Sequence, residues 1–283
     1  IAITGTNGKS TTAKIIYKIL KYHKKDARLT GNIGNPILNE KKINKNTIFV
    51  IEVSSYQIEY SQYFKANYAM ILNISPDHLE RHGTLKKYVK AKFKLIKNQN
   101  QKDCCFLDIK NNNIKNEIQR NKIKAEIINV NKNIINKLLP KIKNPYFFTD
   151  GNKQNLMFII ALVKKINLKI TIFLKVINNF KSLKFRQEII HNSKKLTIIN
   201  DSKATSFSSS MSVLKNLNKV HWIIGGIPKK GDEFTFSRKK CLNFKAYIFG
   251  KNKNFFINKL KNKIKYQTFI DLESTLNKIK LDL

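Results

Sequence analysis

Glycine is scarce in this 283-residue chain, at ten positions, and cysteine is scarcer still, at three. Acidic residues number 18 against 55 lysines and arginines. No run of about 18 uncharged apolar residues occurs, which excludes a membrane-spanning helix. Three cysteines, two of them adjacent at Cys104 and Cys105, exclude a disulfide framework and a four-cysteine zinc site, and they favour a reducing cytoplasm. An initiator methionine and a signal-peptide pattern are both missing, and the chain opens at Ile1 inside an apolar run, as if cut from something longer. What is present, 42% hydrophobic and 10% aromatic residues, suffices for the buried cores of roughly two domains and excludes a wholly disordered tail.

The formal charge of +37 would suit nucleic acid or an anionic surface. Yet 50 of the 55 basic residues are lysine, asparagine occurs 35 times, and isoleucine is abundant. Those are the residues that AT-rich codons encode. The lysines are spread along the whole chain instead of forming one patch interleaved with aromatics, so the excess reads as compositional background. We expect no specific nucleic-acid partner, no membrane association and a monomer. In that background the five arginines carry more information, and Arg81 and Arg186 both fall inside motif-like stretches.

Six of the ten glycines sit in three pairs: Gly5 and Gly8, Gly31 and Gly34, Gly225 and Gly226. In a glycine-poor chain such pairing marks backbone that needs positive φ or close approach. Around them, apolar runs of strand length alternate with helix-period segments, which predicts an α/β architecture with a mostly parallel sheet. Strands are expected at residues 1–4, 47–53, 68–74, 103–107 and 125–130, and helices at 10–22, 84–97, 152–166 and 171–180. A linker near 181–186 leads to an extended pair at 188–191 and 195–200, then to a second α/β unit. The division expected is 1–182 and 183–283, the second unit looking short of a closed domain.

The stretch ITGTNGKST at residues 3–11 is a strand turning through two glycines into a helix. Backbone N–H groups of such a loop cradle phosphates, its lysine reaches the outer phosphate oxygens, and the Ser or Thr hydroxyl ligates Mg²⁺. The parts would be Gly5, Gly8, Lys9, Ser10 and Thr11, although the common spacing wants a glycine where Ile3 stands. An ordinary strand–helix turn is the alternative. Glu52 ends the strand in IEVSSYQIE, and Asp77 and His78 follow the next strand in LNISPDHLERH, all at the carboxyl edge where open sheets bind ligands. A carboxylate and an imidazole beside a phosphate loop suit a Mg²⁺ site, although histidine on Mg²⁺ is unusual and a loop histidine can simply hydrogen-bond. Counting from Leu85, helical offsets place Val89, Lys92, Phe93 and Ile96 on one apolar face. Lys92 is therefore either a snorkelling lysine or a desolvated, neutral amine open to modification.

In order along the chain, GTNGKSTT, GNIGNP, EVSSYQ, LNISPDH, YVKAK, NDSKATS and IIGG resemble the Mur ligases over nearly the whole length. NDSKATS, at residues 200–206, is most similar to the branch that adds D-glutamate. The resemblance implies three domains, of which this chain would hold the central ATPase domain and an incomplete Rossmann-like C-terminal one, without the UDP-binding N-terminal domain. It implies ATP-dependent ligation of D-glutamate to UDP-N-acetylmuramoyl-L-alanine through an acyl phosphate, in peptidoglycan precursor synthesis. Gly5, Thr6, Asn7, Gly8, Lys9, Ser10 and Thr11 would hold ATP, with Asn152, Asn155, Arg186 and Asp201. Ser10, Glu52, His78 and Lys92, the last carbamylated by CO₂, would hold two Mg²⁺ ions. Asn32, Ser54 and Thr205 would contact substrates, Lys203 would act in catalysis, and either Lys229 or Lys230 would bind glutamate. Another amino-acid ligase of the superfamily, or a non-catalytic ATP- or nucleic-acid-binding module, is the alternative.

Overall fold

The structure, a computed structural model, describes residues 1–229 and 231–283. The chain divides into two compact units, Ile1–Leu183 and Lys184–Leu283. The first runs β1 (Ala2–Thr4), α1 (Lys9–Tyr22), β2 (Ala27–Gly31), β3 (Ile48–Glu52), α2 (Ser55–Tyr60), β4 (Tyr68–Ile71), α3 (Leu79–His82), α4 (Leu85–Lys97), β5 (Cys104–Leu107), α5 (Asn112–Arg120), β6 (Glu126–Asn129), α6 (Asn133–Asn136), α7 (Asp150–Lys165) and α8 (Ile170–Asn178). Its six strands form one parallel sheet in the order β2-β3-β1-β4-β5-β6.

Both faces of that sheet are covered, which is why its central strands read as unbroken apolar runs. Successive residues alternate between two cores. Ile3, Met70 and Phe106 pack with Ile16, Leu20, Phe158 and Phe173 from α1, α7 and α8. Ala2, Ala69, Ile71 and Leu107 pack with Val89, Phe93, Ile96 and Ile114 from α4 and α5. The chain leaves β1 toward β2 on one side and leaves β4 toward β5 on the other, so a crevice opens at the carboxyl ends of these neighbours.

Two details differ from expectation. The strand expected to run to residue 74 stops at Ile71, and its continuation turns over the β1–α1 loop. β2 and the short helices α2 and α3 are not among the expected elements. β2 is an edge strand carrying Arg28 and Thr30, so it lacks the apolar run of its neighbours. Its outer side is closed locally: Asn35 N donates to Leu29 O (3.2 Å) and Gly31 N to Asn35 O (3.3 Å).

The second unit contains the antiparallel pair β7 (Glu188–Asn192) and β8 (Thr197–Asn200), then α9 (Phe207–Leu214), β9 (Val220–Gly225), β10 (Phe244–Phe249), α10 (Lys253–Leu260), β11 (Lys265–Phe269) and α11 (Leu272–Asp282). Its parallel sheet has the order β11-β10-β9 over a core of Phe207, Phe234, Phe244, Ile248 and Leu260. Among the described residues no helix is long and apolar enough to cross a membrane.

Candidate active site

The loop between β1 and α1 is shaped by what its neighbours leave room for. Gly8 adopts φ 84° at the N-cap of α1, and a Cβ there would lie 2.1 Å from Asn155 Oδ1. Only glycine meets both demands. Gly8 supplies no capping side chain and no acid stands in the first turn, an arrangement suited to an anion at the N-terminus of α1. Ser10 and Thr11 follow, both buried, with Thr11 Oγ1 3.2 Å from the Tyr146 hydroxyl.

The segment after β4 braces this loop. Thr6 N donates to Asn73 O (2.9 Å), Asn7 N to Asn73 Oδ1 (2.8 Å), and Asn73 Nδ2 to Asn7 O (3.1 Å). Ser75 N donates to Thr6 Oγ1 (3.0 Å), which also lies 3.2 Å from the Tyr88 hydroxyl. Asn73 and Tyr88 were not foreseen as site residues. Asn73 lies within the LNISPDH motif, and Tyr88 stands one helical turn before Lys92, on the same face; both were signals available in the sequence.

Two lysines converge on the loop. Lys9 Nζ donates to the carbonyls of Gly5 and Thr6, both at 2.9 Å. Lys92, 1% exposed, donates to Gly5 O (3.0 Å) and Thr4 Oγ1 (3.4 Å), its Nζ 4.4 Å from the Tyr88 ring centroid. Burial, reinforced by the Lys9 charge and opposed by Asp77, holds the Lys92 amine well below the usual lysine range. A neutral amine is the form that reacts as a nucleophile.

Glu52 pairs in register with Ile3, at the root of the loop. It is 1% exposed; its Oε1 accepts from Asn32 Nδ2 (3.0 Å), while Oε2 is buried without a hydrogen-bond partner among the described residues. Such an orphaned carboxylate oxygen is costly, and a cation would satisfy it. Asn32 is delivered by the turn after β2: its N donates to Glu52 O (2.9 Å), and Gly31, at φ 98°, sits where a Cβ would meet that same carbonyl at 2.3 Å. Ser54 is differently employed. Its hydroxyl accepts from Gln57 N (3.2 Å) and its backbone N donates to Gln57 Oε1 (2.9 Å), forming the capping box of α2.

His78 stands beside Asp77 with left-handed backbone (φ 53°, ψ 34°), and its Nδ1 lies 2.9 Å from the Tyr56 hydroxyl. Among the described residues no three His, Cys, Asp or Glu side chains gather at metal-binding spacing. The expected Mg²⁺ donors draw only two residues from that set, Glu52 and His78, the others being Ser10 and a modified Lys92. Glu52 Oε2, a hard oxygen donor, is the feature that fits a Mg²⁺ ion.

Asn152 and Asn155, on α7, are both buried. Asn152 Nδ2 donates to Tyr146 O (2.7 Å), and Asn155 presses on Gly8, so Asn155 borders the phosphate loop itself. In the second unit Asp201 Oδ1 accepts from Gln187 N (3.0 Å), and Lys203 N donates to Phe185 O (3.0 Å), tying the end of β8 around Arg186. Lys203 and Thr205 are exposed. Burial pushes the Asp201 carboxyl up to about 6, against the pull of the Gln187 N–H and the Arg186 charge. Lys230 lies outside the described residues.

A family profile described as the Mur ligase middle domain matches residues 3–179. The UDP-N-acetylmuramoylalanine–D-glutamate ligase of Rickettsia prowazekii is 32% identical over 300 residues, covering 98% of this chain and 66% of that protein. The ligase of the same name from Elusimicrobium minutum is 34% identical over 269 residues, covering 82% of this chain and 56% of its own length. Among solved structures, a MurF ligase from Thermotoga maritima in complex with ADP superposes with a TM-score of 0.73 at 16% identity, over 100% of this chain and 73% of that one. A MurF from Acinetobacter baumannii gives 0.72 at 16% identity, over 99% and 69%. The chain thus shares the fold of these ligases and spans about two thirds of the length of the first curated relatives, 65–66%.

Proposed function

Because this chain belongs to the Mur ligase family, through a middle domain matched over residues 3–179, we propose that it is the catalytic portion of an enzyme joining D-glutamate to UDP-N-acetylmuramoyl-L-alanine at the expense of ATP. The single observation that carries an ATP-dependent site is the buried, unpartnered Glu52 Oε2 in register with the root of the glycine loop. The D-glutamate specificity rests on relatives bearing that activity in their names, at 31–34% identity. Activity in the cytoplasm, on precursors of peptidoglycan, belongs to the same proposal.

The chemistry asked of the chain is positioning and charge neutralisation. The N–H groups at the start of α1 cradle the nucleotide phosphates, and Lys9, already held over the loop, turns to the outer phosphate oxygens. Glu52, Ser10, His78 and Lys92, once carbamylated, would hold Mg²⁺, which supplies Lewis-acid screening of the transferring phosphoryl group. The neutral Lys92 amine attacks CO₂, forming an N–C bond as one C=O π bond opens and releasing a proton to solvent, and the resulting carbamate puts an anionic oxygen donor where an uncharged amine stood. The terminal carboxylate of the acceptor substrate, held near Asn32, attacks the γ-phosphorus with release of ADP. The glutamate amine then attacks the acyl phosphate, and a tetrahedral adduct collapses to amide and phosphate. Asp201, Lys203, Thr205 and Lys229 or Lys230 are assigned to ATP and the incoming amino acid by resemblance.

Titration calorimetry with Mg-ATP tests the nucleotide site in this chain. Binding by the wild type, lost in Lys9→Ala, is the expected result, and absence of wild-type binding overturns the proposal. In the full-length ligase, Lys92→Ala is expected to abolish turnover, with a short carboxylic acid at high concentration restoring part of it.

A further inference from the structure

His78 is a non-glycine residue in the left-handed region, a conformation that costs on the order of 1 kcal/mol and persists only where its surroundings hold it. Its own backbone N–H is taken by Asp77 Oδ1 at 3.1 Å. What holds the imidazole comes from another element. The Tyr56 hydroxyl lies 2.9 Å from Nδ1, with the rings edge to face at 5.0 Å. Glu80 Oε1 lies on the same side, 3.4 Å from Nδ1, on a more exposed side chain. Across the ring, Nε2 lies 3.5 Å from Asp77 Oδ2.

Tyr56 is itself firmly placed. It lies within the capping box of α2, and its ring stacks on that of His82 with centroids 5.6 Å apart and planes 7° from parallel. His82 is buried, with Nε2 3.0 Å from the hydroxyl of buried Ser55. Its ring also meets Tyr88 at 5.3 Å, and Tyr88 touches both Thr6 of the loop and Lys92. A single packed wall, Tyr56–His82–Tyr88, therefore links His78 to the phosphate loop.

We infer that Tyr56 is a positioning residue for His78, its phenol oxygen accepting the Nδ1 proton so that Nε2 is presented unprotonated beside Asp77. An ionised carboxylate can only accept, so Glu80 beside Nδ1 at 3.4 Å and Asp77 beside Nε2 at 3.5 Å pull toward opposite tautomers, and the short contact is the one from Tyr56 to Nδ1 at 2.9 Å. Metal-ligating histidines commonly donate their other ring N–H to an oxygen that fixes tautomer and orientation. The metal consequence rests on the assignment of His78 as a ligand; the tautomer does not.

The two are separable by experiment. The metal-free chain is labelled with ¹⁵N-histidine, and long-range ¹H–¹⁵N spectra are recorded near pH ~8, above the ordinary imidazole range. The His78 signal is assigned by its loss in His78→Gln. An Nδ1–H tautomer in the wild type, shifting toward Nε2–H in Tyr56→Phe, is expected, since phenylalanine keeps the ring stack and removes only the oxygen. An Nε2–H tautomer in the wild type overturns the inference whether or not the variant folds. Mn²⁺ affinity with ATP present, read by electron paramagnetic resonance, is expected to fall about 10–100-fold in Tyr56→Phe. An unchanged affinity beside a changed tautomer overturns the positioning role, and a wild type that binds no Mn²⁺ with ATP overturns the metal-site proposal instead.

Discussion

Lys9 and Lys92 donate to the same carbonyl: their amines lie 2.9 and 3.0 Å from Gly5 O, one reaching in from the loop and the other from α4. Only Lys92 is fully enclosed, and burial together with the neighbouring Lys9 charge weakens its hold on its proton. The two amines thus share one carbonyl but differ in environment, Lys9 at the start of α1 and Lys92 buried on α4.

The linkage of Lys92 to stability follows. Its folded pKa lies well below the ordinary 10.5, so between those values the unfolded chain binds a proton that the folded chain does not. Stability should rise with pH across that window, by up to about 1.4 kcal/mol per pH unit from this group. Lys92→Met, which keeps the apolar contacts, should be more stable than wild type near neutrality and should lack this slope. Urea midpoints in CO₂-free buffers from pH ~7 to ~10 check it.

Gly8→Ala should be severe. It forces an L side chain to φ 84° and drives its Cβ against Asn155 Oδ1, 2.1 Å away. Strain of about 1–2 kcal/mol from the backbone adds to the clash, and Mg-ATP binding should vanish. Adding Asn155→Ala removes the clash but not the strain, so urea denaturation of the double variant should recover only part of the loss.

Ser54 offers a case where helix capping and substrate contact give different results. Ser54→Ala should cost about 1 kcal/mol, because the capping box of α2 is lost. Ser54→Asp should restore most of that stability. If the hydroxyl also touches substrate, KM stays raised in Ser54→Asp although the melting temperature has returned.

Asp201 points the other way from an ordinary carboxylate. Its folded pKa of about 6 exceeds the model-peptide 3.8, so between these values the folded state keeps a proton that the unfolded state has released. Stability contributed by this group falls as pH rises through that window. Asp201→Asn, which still accepts from Gln187 N, should gain on the order of 2 kcal/mol at pH ~7 and flatten the profile between pH ~4 and ~6. Chemical denaturation across that range is the measurement.

Much of the architecture could be read from linear pattern because a sheet covered on both faces demands apolar residues at nearly every position of β1, β4 and β5, Thr4 being the polar exception in β1. The glycine pairs were legible for a related reason: Gly8 and Gly31 stand where another residue's oxygen occupies the space of a Cβ. Lys92 was visible through helical spacing alone. β2 was not, since an edge strand with Arg28 and Thr30 carries no continuous apolar signal. Nor were the braces Asn73–Asn7 and Tyr88–Thr6, which join positions 66 and 82 residues apart and depend on which strands become neighbours. Ser54 shows a further limit, for the same SSYQ run encodes a helix cap whether or not it meets a substrate.

The strand order carries a consequence for how the molecule comes into being. β1 precedes the other five strands in the chain, yet it lies between β3 and β4, and Ala2 pairs with Ile51 and Ala69. Closing those contacts means closing loops of about 50 and 70 residues, a cost met before any native reward is gained. Until β4 has docked, Thr6 and Asn7 have no Asn73 to hold them, and the glycine turn has no fixed shape. The loop after β1 therefore takes its braced shape only once β4 has docked. A nucleotide that grips only the braced loop is expected to slow unfolding of the unit and to leave its folding rate unchanged.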